Sequence, residues 1–220
     1  MTLDSLYSTR FPEADRAAKH AVWKVLCERF FQRYIEPDDV VLDLGAGFGE
    51  FLCHIRCARR VAVDIEQLSG RVLPPGTEEV LVPSHQLSSR VPADSIDAVF
   101  CSNFFEHLPD KATFLNTLAE IRTVLAPGGR LLVLQPNIRL VGGAYWDFVD
   151  HHLPLTERTL VEAAESTGFE VVQVIPRFLP YTTRSALPQS PWLVRLYLAC
   201  PPVWRVLGTQ TWFVARKPVR

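Results

Sequence analysis

The chain has 220 residues, 48% of them hydrophobic, and its 23 basic and 24 acidic side chains leave a formal net charge of −1. That length and apolar share suit one substantial core, and no linker or break in composition divides it, so residues 1–220 are expected to form a single domain. The near-zero charge leaves no general electrostatic footprint for nucleic acid, and no such partner is expected. Five cysteines without zinc-ligand spacing, no signal peptide and no apolar run long enough for a bilayer point to reduced thiols in a cytoplasmic protein.

From Ala14 to Tyr34 the residues Ala17, Ala18, Ala21, Val22, Val25, Leu26 and Phe30 recur at helical spacing, so residues 1–36 are read as an N-terminal cap built on a helix. Pro37-Asp38-Asp39 ends it. Val40 to Leu44 is nearly all apolar, as for a strand buried on both faces. Gly45, Gly47 and Gly49 then lead into a helix beginning at Phe51. A glycine turn there lets a ligand approach the backbone and aims the helix's free N–H groups at it. About twenty residues on, Arg60 to Asp64 is a second apolar run ending in a carboxylate, at the distance where an acid on the neighbouring strand accepts from both hydroxyls of a ribose. The two features together call for a nucleoside.

Glu79 to Pro83 reads as the third strand and is followed by Ser84-His85-Gln86-Leu87. Asp97 to Cys101 is the fourth, and its carboxyl end opens on the crevice where ligands of open α/β sheets bind. Glu106-His107 then turns into a helix from Lys111 to Leu125. His107 is either a catalytic base or a structural histidine at the helix entry. Beyond the fifth strand, Arg130 to Leu134, the stretch Gly142 to Thr156 combines two glycines, Tyr145, Trp146, Asp147, Asp150, His151 and His152, placed to line an acceptor pocket. Thr156 is the N-cap of a helix that Gly168 stops, Phe169 to Ile175 is the sixth strand and Thr211 to Ala215 the last. Between these strands lies an insertion, 177–208. Six of the chain's 17 prolines fall from Pro176 to Pro202 and rule out one continuous helix. Residues 191–207 mix Trp, Tyr and Leu with arginines, which suits a lid, packing on the sheet edge or a second subunit, or a peripheral membrane contact.

Asp43-Leu44-Gly45-Ala46-Gly47-Phe48-Gly49 resembles the first motif of the class I S-adenosylmethionine-dependent methyltransferases. Ser95 to Leu108, with its acidic start and Glu-His ending, resembles their fourth strand, and Leu125-Ala126-Pro127-Gly128-Gly129 the turn into their fifth. The resemblance covers roughly residues 38–176. It implies a Rossmann-like, doubly wound α/β fold: seven strands, mostly parallel, the last antiparallel, with helices on both faces. It implies S-adenosylmethionine as cofactor, held by Asp43, Gly45, Ala46, Gly47 and Gly49, by Asp64 and Ile65 at the ribose, and by Ser102 and Asn103 beside the methionine portion. Tyr7 and Arg10 would cap the site, Arg10 by pairing with the cofactor's carboxylate. The family's usual adenine-binding aspartate is missing, and His85 or Gln86 stands near its place.

The implied reaction moves a methyl group to a hydroxyl or amine of a small molecule, with a base drawn from His107, His151 and His152 and oriented by Glu106 or Asp150. Gln135-Pro136-Asn137, Asp150-His151-His152 and the proline-rich insertion resemble bacterial methyltransferases of polysaccharide or lipid-linked sugar synthesis. A quinone or polyketide-type O-methyltransferase is the alternative, and a non-catalytic cofactor-binding module is a rival of another class. Asn103 to His107 lines up with a Glu-x-x-Glu-His pattern of metal-dependent members, but Asn103 replaces the first carboxylate and no metal is expected. The glycine spacing disfavours a nicotinamide enzyme.

Overall fold

The computed structural model describes residues 10, 13–181 and 190–219. Tyr7, and part of the insertion, lie outside the described residues. Helix α1 (Glu13–Arg29) precedes strand β1 (Val40–Leu44), the short helix α2 (Glu50–His54), β2 (Arg59–Asp64) and β3 (Glu78–Leu81). Next come β4 (Ile96–Ser102), α3 (Lys111–Val124), β5 (Leu125–Pro136), α4 (Ile138–Val141), α5 (Glu157–Ser166) and β6 (Glu170–Ile175). Helices α6 (Pro191–Ala199) and α7 (Pro201–Leu207) lead to β7 (Gln210–Arg216). The strands lie in the order β3-β2-β1-β4-β5-β7-β6, with β7 antiparallel to both neighbours and the other pairs parallel. This is the Rossmann-like seven-stranded sheet that the sequence motifs imply. The strand order reverses between β1 and β4, which opens the ligand crevice at their carboxyl ends.

Alternation along the strands feeds two apolar layers. Leu42, Leu44, Val99, Cys101 and Val133 face α3 and α5 through Phe114, Leu118, Ile121 and Leu160. Val41, Phe100, Leu132, Trp212 and Val214 face the other side, toward Leu26, Phe30 and Phe31. Phe51 stacks on Phe100 at 3.8 Å and Phe30 on Phe178 at 4.1 Å between ring centroids.

Several boundaries differ from the sequence reading. The first helix leaves α geometry at Phe30 (φ −130°) and continues as a tight 3₁₀ turn, Phe31–Tyr34, which lets the adjacent Phe30 and Phe31 both pack near Trp212. The helix after the glycine turn starts at Glu50 and ends at His54, because Ile55 is already extended. β5 starts five residues early, because Leu125 pairs with Ile96 before a register shift. Among the described residues β2 joins β3 through an irregular loop, 65–77, rather than a helix, and no helix is long and apolar enough to cross a membrane.

Candidate active site

The tip of β1 is shaped by three glycines in left-handed conformations: Gly45 at φ +75°, Gly47 at +54° and Gly49 at +89°. A Cβ at Gly45 would stand 2.5 Å from the Phe104 ring, and one at Gly49 2.3 Å from the Val72 carbonyl. At Gly47 the nearest atom would be the Gly45 carbonyl at 3.9 Å, so the space there is open. The turn's amides are already engaged: Gly45 and Ala46 both donate to the Val63 carbonyl and Gly49 donates to Ala46. These amides therefore fix the shape of the turn.

Asp64, at the end of β2, accepts from Ile65 N at 2.9 Å on one oxygen, and from Gly47 N at 3.2 Å and Arg71 at 2.6 Å on the other. The Arg71 side chain is 2% exposed and also donates to the Gly47 carbonyl and to Glu79. Nothing in the local sequence pattern singles out this arginine; the fold of loop 65–77 brings it to Asp64. Burial raises the Asp64 carboxyl, against the pull of Arg71 and the two amides. Asp43 is raised well above the carboxylate range by burial, then by the nearby Glu50 and Asp64. Glu50 is itself paired with Lys19 at 2.8 Å.

These features suit a nucleoside that carries positive charge. Buried carboxylates surround the glycine turn, room remains at Gly47, and Ile65, 56% exposed, offers an apolar surface beside Asp64. His85 and Gln86 sit on the exposed turn after β3, on the same crest as Ile65 because Leu81 registers with Asp64. Ser102 donates to Asn103 at the tip of β4. Asn103 takes a left-handed conformation (φ +50°), which asparagine tolerates better than most residues.

The second half of the site follows directly. Phe104 covers Gly45, and the next turn, Phe105–His107, carries Glu106 and His107. His107 Nδ1 lies 3.0 Å from the Asp150 carbonyl and 3.2 Å from its carboxylate. Those acceptors require Nδ1 to carry the proton, leaving Nε2 as a lone pair. Burial lowers the His107 pKa, but Asp150 and Glu106 outweigh it and the net shift is upward. Asp150 is held well below the usual range: burial opposes ionisation, and hydrogen bonds from His107 and Arg10 more than offset it. Arg10 thus stands on Asp150, with its guanidinium 4.7 Å from the Phe148 ring.

His151 is buried beside His107, with ring centroids 5.1 Å apart, and its Nδ1–H donates to the Tyr145 carbonyl at 2.8 Å. Burial and the charge of His107 lower its pKa to about 4. Glu106, 1% exposed, is raised by burial and accepts from Gln135 at 3.0 Å. His152 does not join the cluster. Its backbone N–H donates to the Glu106 carbonyl while its ring is exposed, because neighbours along this extended segment face opposite ways. One ligand-capable atom from each of Glu106, His107 and His151 lies within 4.8 Å of the others.

A crevice of this shape at the reversal point of a doubly wound sheet defines a nucleoside-binding Rossmann-like protein with a histidine–carboxylate pair at its mouth. Residues 15–174 match the family model of a methyltransferase domain, and the chain belongs to that family. The probable methyltransferase ltbC of Aspergillus luteorubrus is 29% identical over 119 residues, 46% of this chain. The chain matches 41% of the length of that relative. Among solved structures, a SAM-dependent methyltransferase from Archaeoglobus fulgidus is similar at 20% identity and TM-score 0.68, over 98% of this chain and 100% of that one. One from Mesorhizobium loti is similar at 17% and 0.58, over 81% and 91%. The [4+2]-cyclase SpnF shares the fold at 20% and 0.59, over 94% and 82%. Family and fold imply S-adenosylmethionine as cofactor.

Proposed function

We propose that this chain moves a methyl group from S-adenosylmethionine to a hydroxyl of a small molecule, such as a sugar or lipid-linked glycan precursor. Bound S-adenosylmethionine supplies an electrophilic methyl on a sulfonium centre. Asp64 and Ile65 would hold its nucleoside, Asp43 and the Gly45–Gly49 turn would face its charged portion, and Ser102 and Asn103 would lie along the methionine. His107 would take the hydroxyl proton at Nε2, with Asp150 orienting the ring and stabilising the imidazolium, and Arg10 fixing Asp150. Orientation supplies much of the acceleration, since the methyl is already activated. The observation that carries the reading is the His107–Asp150 pair one turn beyond Phe104, which itself lies on the glycine cradle. Formation of S-adenosylhomocysteine with a panel of hydroxylated acceptors, abolished in His107→Ala with donor binding intact, is the expected result. Donor binding without turnover on any acceptor would favour a binding module instead.

A second reading gives the Glu106, His107 and His151 cluster a divalent ion that lowers the pKa of the accepting hydroxyl. The convergence of those three ligand atoms favours it. Full activity in excess chelator would dismiss it.

A further inference from the structure

Helices α6 and α7 each bury one face and expose the other. In α6, Val194, Tyr197 and Leu198 pack on the layer that holds Phe30 and Trp204, and Tyr197 donates to the Phe178 carbonyl. Its opposite face carries Trp192, Leu193, Arg195 and Leu196, with Trp192 67% and Leu196 55% exposed. In α7, Trp204 is buried, its Nε1–H donating to the Tyr197 carbonyl at 2.7 Å. Arg205, Val206 and Leu207 are exposed, Val206 at 74%. Large apolar side chains interleaved with arginines on the outer face of short helices match an interfacial helix better than a solvated one.

Charge decides what would cover this face. The exposed ionisable residues of α6 and α7 are Arg195 and Arg205, and from Val171 to Arg220 the sequence holds no acidic residue; Arg216 and Lys217, farther on, are paired with Glu170 and Asp94. A second copy applied face to face would bring like charges together. An anionic lipid surface would attract the arginines and receive the indole at its headgroup level.

We propose that the outer face of α6 and α7 docks on an anionic bilayer surface. Tyr181, whose N–H donates to Thr209 just past α7, lies with its ring 5.9 Å from Phe148, which contacts His151, so the chain flanking these helices reaches the acceptor side of the site. The proposal goes beyond the methyl-transfer reading, and its test uses no donor or acceptor, so either can fail without the other.

The full chain would be sedimented with phosphatidylcholine vesicles with and without phosphatidylglycerol. Binding is expected only to the anionic vesicles, and release at about 1 M salt, where the screening length falls to about 3 Å. Arg195→Gln with Arg205→Gln should weaken partitioning roughly twenty-five-fold, at about fivefold per arginine. Trp192→Ser with Leu196→Ser should also release the protein, with the circular dichroism spectrum and melting temperature unchanged. The proposal is overturned by equal binding to both vesicle types, by no binding to either, or by wild-type partitioning in the arginine pair. A dimer in solution that Trp192→Ser with Leu196→Ser dissociates would overturn it too, in favour of a second copy on this face.

Discussion

His151 is 6% exposed, its Nδ1–H donates to the Tyr145 carbonyl, and burial with the neighbouring His107 charge lowers its pKa from 6.5 to about 4. In the unfolded chain the same imidazole protonates near 6.5. Between those values the unfolded state therefore holds up to one more proton than the folded state, and stability drops by about 1.4 kcal/mol for each unit by which pH is lowered. Passage through the whole window removes up to about 3 kcal/mol, a large part of a typical stability of about 5–15 kcal/mol. His107 has the opposite sign: its raised pKa contributes stability fully present below its unfolded pKa and lost as pH rises through the folded one. The His151 contribution is isolated by comparing wild type with His151→Gln, using urea midpoints from pH 7.5 to 4.5. The stability advantage of wild type should shrink by about 2 kcal/mol as pH falls from 6.5 to 4.5. A gap that stays constant over that range refutes the assignment of His151 as a buried neutral imidazole.

Asp150→Asn leaves the backbone carbonyl of residue 150 bonded to His107 Nδ1 but removes the carboxylate that raises its basicity. The midpoint of kcat/KM should move to lower pH, whereas His107→Ala should cost about 10²–10⁴-fold; an unmoved midpoint rejects the pairing. Gly49→Ala should destabilise by about 2 kcal/mol or more, from the left-handed backbone and the Cβ forced onto the Val72 carbonyl, and an unchanged melting temperature would contradict that. Asp64→Ala should weaken S-adenosylmethionine binding by about 1–3 kcal/mol in calorimetry; unaltered affinity would remove Asp64 from the ribose.

The sheet was legible because its signals are local. Four apolar residues among the five before Gly45, a carboxylate at the end of the next apolar run and the Pro127-Gly128-Gly129 turn each report a conformation that the residues themselves demand. The site was half legible. His107 and His151 could be nominated from their positions past strand ends, but which of His151 and His152 points inward depends on the phase of a segment with no regular period. Arg71 was invisible for a related reason. It belongs to the irregular loop 65–77, and its meeting with Asp64 is a product of chain path. The Arg10–Asp150 contact was equally invisible, because it joins residues 140 apart in the chain.

On the proposed reading, the charge of the crevice also separates donor from product. Lys19 covers Glu50 and Arg71 covers Asp64, while Asp43 lies buried with its ionisation suppressed by burial and by those two carboxylates. S-Adenosylmethionine brings a sulfonium charge that S-adenosylhomocysteine lacks. A positive charge beside a carboxyl favours its ionised form, so donor binding should lower the Asp43 pKa and release protons. Product binding should release fewer. Calorimetry of each ligand in two buffers of different ionisation enthalpy measures that difference. Asp43→Asn should abolish it, and equal proton release by the two ligands in the wild-type protein would show that Asp43 does not face the sulfonium.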